Sequence, residues 1–176
     1  MRTAGQFQSA GTATGTAPDV NAGATPATGA PAPAASAGAK VPLYRAVSTS
    51  SAGHLYTTNS GEQSSQAWKP EGIAGYVMSS QGPGTTALYR LASAKGDYVL
   101  TTDANSRATL ISQGYRDEGV IGYVSQSPVS GTEPLFAMAS ADGTSHFYTT
   151  NAAERDQVVS RGYQSQGISG YIWTQP

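Results

Sequence analysis

A pattern that returns twice restricts this chain more than any other property of it. Leu43-Tyr44-Arg45, His54-Leu55-Tyr56-Thr57-Thr58 and Glu71-Gly72-Ile73-Ala74-Gly75-Tyr76-Val77 come first. They are matched by Leu88-Tyr89-Arg90, Tyr98-Val99-Leu100-Thr101-Thr102 and Glu118-Gly119-Val120-Ile121-Gly122-Tyr123-Val124. A third set follows in Leu135-Phe136-Ala137, His146-Phe147-Tyr148-Thr149-Thr150 and Gln166-Gly167-Ile168-Ser169-Gly170-Tyr171-Ile172. Matched positions lie about 45 to 48 residues apart, which is the mark of a repeat architecture. A single unit of this length cannot bury its own apolar face, so the three must share a core.

Within a repeat, the Leu-Tyr-Arg and His-Phe-Tyr-Thr-Thr segments are short, alternating and rich in aromatic and β-branched residues, and read as two strands of a hairpin. In the third repeat Asn151 stands where a helix cap belongs, and Glu154, three residues on, is placed to return the bond to the Asn151 amide. That helix should run to about Arg161, with Gly162 as its left-handed stop. Asp103 and Gly114 copy the arrangement in the second repeat, whereas Gly61, Pro70 and a shorter stretch reduce the first repeat's helix to one turn or none. The Gly-Ile-x-Gly-Tyr segment closes each unit as a third strand, its two glycines supplying a bulge or a close backbone approach. The predicted fold class is mainly β with short helices: three pseudo-symmetric ββαβ repeats, about 42–81, 87–126 and 134–173, in one β-trefoil-like or barrel-like domain over 41–176. A helix in every repeat is more than a plain trefoil needs. A three-unit solenoid is the alternative, weakened because neither end repeat reads as a polar cap.

Residues 1–40 read as an extended low-complexity arm. From Thr3 to Ala39 the chain is nearly all Ala, Gly, Thr, Pro and Ser, with Phe7 and Val20 the only large apolar residues. Such a segment cannot offset its ordering entropy alone. It suits a linker, or an anchor laid against a capsid or other particle protein with Phe7 and Val20 as plugs. Met1-Arg2 is not followed by a run of Leu, Val or Ile, so no classical signal peptide is expected in the sequence given, and no stretch has the length and apolarity of a membrane span. The formal net charge is −1 with Lys and Arg scattered singly, which argues against a nucleic-acid partner. The chain has no Cys, which leaves the compartment open.

The residues suited to chemistry are few. Only His54 and His146 titrate near neutral pH, and because they occupy the same repeat position a structural role is expected of them. Asp97, Asp103 and Asp142 read as turn and cap residues bonded to local backbone; no metal, cofactor or catalytic set is expected, and the chain reads as non-enzymatic. Arg45 with Glu71 and Arg90 with Glu118 would link the first and last strands of their units. Alternatively Tyr44, Arg45, His54, Tyr56, Glu71, Tyr89, Arg90, Tyr98, Glu118, His146, Tyr148 and Tyr171 rim shallow ligand-binding pockets, with tyrosines stacked on sugar faces. On that second reading Tyr148→Ala and His146→Ala weaken binding more than they lower the melting temperature.

This pattern, Leu-Tyr-Arg, His-Phe-Tyr-Thr-Thr-Asn-Ala-Ala-Glu-Arg-Asp, Gly-Tyr and Gly-Ile-x-Gly-Tyr, resembles an uncharacterised repeat domain appended to secreted bacterial and fungal proteins, cell-wall and polysaccharide hydrolases among them. The resemblance covers residues 42–173 and is closest in the third repeat. It implies a non-catalytic accessory module that binds a glycan or cell-wall polysaccharide, displayed outside the cell. The N-terminal arm adds the alternative of a structural decoration or fibre protein on a virion surface. The chain departs from the pattern at Ala137 in place of Arg, Tyr98 in place of His and Gln166 in place of Glu, so a site built on those positions is unequal among the repeats.

Overall fold

The computed structural model describes residues 38–176; Phe7, Val20 and nearly all of the arm expected over 1–40 lie outside the described residues. The first repeat comprises β1 (Lys40–Ser48), β2 (His54–Thr57), α1 (Ser60–Gln63) and β3 (Trp68–Met78). The second comprises β4 (Thr85–Ala92), β5 (Tyr98–Thr101), α2 (Ala104–Ser112) and β6 (Arg116–Ser125), and the third β7 (Thr132–Ala139), β8 (His146–Thr149), α3 (Ala152–Ser160) and β9 (Gln164–Trp173). The described chain is therefore mainly β with short helices, and its strands pair antiparallel throughout. Among the described residues no helix is long and apolar enough to cross a membrane.

Each first strand pairs on one side with the short second strand and on the other with the long third one. Tyr44 faces Thr57 and Ile73, Tyr89 faces Thr101 and Val120, and Phe136 faces Thr149 and Ile168. The long strands then meet one another by single bridges, Met78 to Tyr123, Ser125 to Tyr171 and Tyr76 to Trp173, so each of β3, β6 and β9 touches both of the others. At the point where the described chain starts and stops, the Lys40 ammonium donates to the carbonyls of Gln175 and Pro176 at 3.3 and 3.4 Å.

The two glycines of the closing segment divide their work. Gly72, Gly119 and Gly167 have φ of 116°, 82° and 95° and sit opposite Arg45, Arg90 and Ala137 where the ladder slips register, a conformation that disfavours any side chain. Gly75, Gly122 and Gly170, the last also at a positive φ of 124°, make room for a neighbour: a Cβ at these positions would lie 2.5, 2.4 and 2.5 Å from Ile172, Val77 and Val124, each in a different repeat from the glycine.

Equivalent residues from each repeat fill the core: Leu43, Tyr56 and Val77; Leu88, Leu100 and Val124; Leu135, Tyr148 and Ile172. The Tyr56 hydroxyl donates to the Tyr148 carbonyl and accepts from the Tyr148 amide, both at 2.7 Å. The Tyr148 hydroxyl does the same to Leu100, donating at 3.1 Å and accepting at 2.9 Å. Leu100 has no hydroxyl to continue the series, and the Tyr56 carbonyl is taken by Arg90 Nη1 at 2.9 Å. Tyr56 and Tyr148 are thus wholly buried core residues with their hydroxyls spent on backbone, which corrects the expectation that they stack on a ligand. Tyr148→Ala would open the core before it touched a rim.

Candidate binding site: the clefts between repeats

Thr149 Oγ1 accepts the Asn151 amide at 3.0 Å, the bond expected of Glu154. Asn151 caps α3 by accepting from the amides of Ala153 and Glu154. Glu154 is thereby free to turn outward, where its Oε2 accepts from Thr149 Oγ1 at 2.5 Å and its two oxygens take Arg45 in a fork at 3.0 and 2.9 Å. The return bond of a capping box is therefore replaced by a clamp between the first and third repeats. On its other edge Arg45 Nε meets Glu71 Oε2 at 2.9 Å.

The same clamp joins the first and second repeats. Arg90 is forked by Glu62 at 3.0 and 2.8 Å, Arg90 Nε meets Glu118 at 2.7 Å, and Thr57 donates to Glu62 at 2.6 Å. The Arg-Glu links between first and last strands are present within the first and second units, but the sequence reading missed Glu62 and Glu154. The signal was available, since both stand three residues after a helix cap, yet a capping role accounted for Glu154 and Glu62 was given none. Planar guanidinium against two carboxylates is the geometry in which Arg outperforms Lys.

Between the second and third repeats the corresponding residues are Ala137, Ser106 and Gln166. Ala137 is a core residue, and a cavity of ≈ 290 Å³ opens over it, lined among others by Thr101, Ser106, His146, Gln166 and Ser169. At the Arg45 clamp the cavity is ≈ 180 Å³.

The remaining expected site residues fall as follows. His54 packs edge-on against Phe147 at 4.9 Å with its Nε2 3.8 Å from Glu71, and its Nδ1 is buried without a partner. Burial, above all, and the Arg45 charge hold His54 below its usual range, although Glu71 pulls the other way. His146 Nδ1 lies 2.7 Å from Asp97 Oδ2, while the His146 amide donates to Asp97 Oδ1 at 3.0 Å. Asp97 is 2 % exposed. It is a buried cross-repeat residue, not the locally bonded turn residue expected; Asp103 caps α2 through Ser106, and Asp142 bonds within its own turn. Tyr98 lies beside the Arg90 guanidinium at 5.0 Å and Trp68 at 5.8 Å, and Tyr89 lies under Arg107 at 4.2 Å. Tyr44 is half-buried on β1, and Tyr171 lines a surface hollow with Thr86, Thr102 and Ile168. The twelve residues thus divide between the core, the clamps and the surface. Among the described residues no cluster of His, Asp and Glu is disposed to hold a metal ion.

Ile73, Val120 and Ile168, which follow the left-handed glycines, are 50 %, 43 % and 50 % exposed, and each lines a cleft beside the Thr-Thr corner of a neighbouring repeat. In sequence they are strand residues of the Gly-Ile-x-Gly-Tyr segment, with nothing to mark them as exposed.

No curated protein and no solved structure matches the chain. A family model does, over residues 42–173 and in an overlapping match over 25–96. The chain belongs to the DUF5648 family, a domain of unknown function.

Proposed function

We propose that this domain is a non-catalytic binding module whose three units stand about a common trefoil-like axis and offer related clefts to a carbohydrate polymer at a cell or particle surface. The observation that carries this reading is the recurrence of an exposed apolar residue. Tyr56 and Tyr148 recur because the core needs them; Ile73, Val120 and Ile168 recur while half their surface faces water, and packing gives no reason for that. Each sits beside hydroxyl groups, Thr149 and Thr150 near Ile73, Thr58 near Val120, Thr101 and Thr102 near Ile168. An apolar ridge flanked by hydroxyls complements a sugar ring, which has an apolar face and a hydroxylated edge. Weak clefts repeated on one body gain by avidity on a repetitive ligand.

The test is a glycan array probed with the full-length protein and with the triple variant Ile73→Ser, Val120→Ser, Ile168→Ser. Binding to one or more polysaccharides is expected, with the variant weakened at least tenfold and its melting temperature unchanged within a few degrees, since exposed positions contribute little to stability. A variant that binds as the parent does, or a parent that binds no glycan, removes this reading.

A further inference from the structure

The clefts are unequal, and we propose that the one between the second and third repeats is a pocket for a single uncharged polyhydroxyl unit of sugar-ring size, the specificity-setting site of the module. This rests on the carbohydrate reading above. Two of the three junctions are closed by an arginine held between two carboxylates: Arg90 by Glu62 and Glu118, Arg45 by Glu154 and Glu71. At the remaining junction all members are absent together, with Ala137, Ser106 and Gln166 in their places. Loss of the arginine alone would have left two facing carboxylates without a cation, a costly arrangement. Joint replacement leaves an opening without the clamp's charges.

The cavity over Ala137 differs from the other two in its lining as well. It is ≈ 290 Å³, between the ≈ 180 Å³ at Arg45 and the ≈ 390 Å³ cleft beside Val120, and its lining includes the core residues Val99, Leu100 and Tyr148. Its volume lies at the low end of small-ligand sites, about 300 Å³, so it admits one ring and not a length of chain.

Two polar groups in this pocket lack the partners that their counterparts have. Thr57 and Thr149 give their hydroxyl protons to Glu62 and Glu154. Thr101 accepts the Asp103 amide at 3.1 Å in the same way, but with Ser106 at the glutamate position its own proton has no carboxylate to meet. His146 is fixed through Nδ1 by the buried Asp97, which makes Nε2 the free nitrogen and, in the neutral ring, an acceptor. The carboxylate of Asp103 at the mouth is engaged in capping α2 through the Ser106 amide at 2.6 Å. A hydroxyl-rich neutral ring meets these demands: an oxygen to accept from Thr101, a hydroxyl to donate to His146, further hydroxyls for Gln166 and Ser169, and an apolar face for Val99 and Leu100. An anion would find no guanidinium, and a cation would find only the Asp103 carboxylate, which stands at the mouth and already accepts the Ser106 amide.

The experiment titrates the full-length protein with glucose, galactose and N-acetylglucosamine, and with glucuronate and glucosamine as charged counterparts, following backbone amides by NMR. Two pocket-filling variants accompany it, Ala137→Leu and the triple Ala137→Arg, Ser106→Glu, Gln166→Glu that rebuilds the clamp; both are also placed on the glycan array, and their melting temperatures report folding. At least one neutral sugar is expected to shift the amides of Thr101, Ser106 and Gln166 in the millimolar range, the charged sugars much less, and either folded variant to weaken the effect at least tenfold. Equal response to charged and neutral sugars, no response at these amides from any neutral sugar, or wild-type binding by a folded pocket-filling variant overturns the proposal. The last result, with array binding still lost in the Ile73, Val120, Ile168 variant, leaves the three-cleft reading standing. The opposite split, with only the pocket-filling variants losing binding, supports the pocket and removes the three clefts.

Discussion

Glu62, Glu154 and His54 are partly buried groups through which the domain responds to acid, beside the exposed Asp103, Asp117 and Asp142, whose hydrogen bonds also hold them low. Burial alone would push both glutamate carboxyls up, but hydrogen bonds from Arg90 and Thr57 to Glu62, and from Arg45 and Thr149 to Glu154, more than offset it and hold them below the usual 4.5. His54 is held below the usual 6.5, chiefly by burial. In each case the folded state binds fewer protons than the unfolded chain just below the ordinary value, so stability falls as pH falls. The His54 contribution begins to be lost below pH about 6.5 and the glutamates' contribution below about 4.5. Thermal melts across this range should show a shallow decline followed by a steeper one. His54→Phe should abolish the first stage and leave the second; a melting temperature flat from pH 7 to 4.5 in the parent would contradict a buried neutral imidazole. The glutamates' partners were not legible from the sequence, because Arg45 and Glu154 stand 109 residues apart and become neighbours only once the repeats are docked.

At the scale of elements, the hairpins, the caps at Asn151 and Asp103 and the single turn of α1 were all legible, because each depends on residues within a few positions of one another. The glycine pair was legible as a pair, but its division between bulge and close approach was not, since the atoms that crowd Gly75, Gly122 and Gly170 belong to other repeats. Gly122→Ala would set a methyl 2.4 Å from Val77 Cγ2, with Val77 fully buried. Overpacking of this kind costs about 1–3 kcal/mol, so calorimetry should show a melting temperature several degrees lower. Gly84→Ala is the matched control: its φ is 70° but nothing lies within 4 Å of the added methyl, so it reports backbone strain without crowding and should cost less. An equal loss at both positions would mean that crowding at Gly122 is relieved by small shifts.

At the scale of the molecule, a core shared by Leu43, Leu88 and Leu135 was legible from their recurrence, but the unequal junctions were only half so. Ala137 and Gln166 stood out as departures, whereas Ser106 did not, because nothing in the sequence says that a residue three places after a cap faces an arginine from another unit. The long strands bridge all round, and Lys40 reaches the carbonyls of Gln175 and Pro176. A chain permuted to begin at Gly84, with residue 176 joined to residue 38 by about six residues, roughly 20 Å when extended, should therefore fold to the same circular-dichroism spectrum and keep its glycan profile. Failure to fold would show that the junction between the first and second repeats must form within continuous chain. Success would make the order of the repeats a matter of bookkeeping: a body whose parts each touch both of the others has no beginning, and the place where its thread is cut can be chosen to suit whatever must be fastened there.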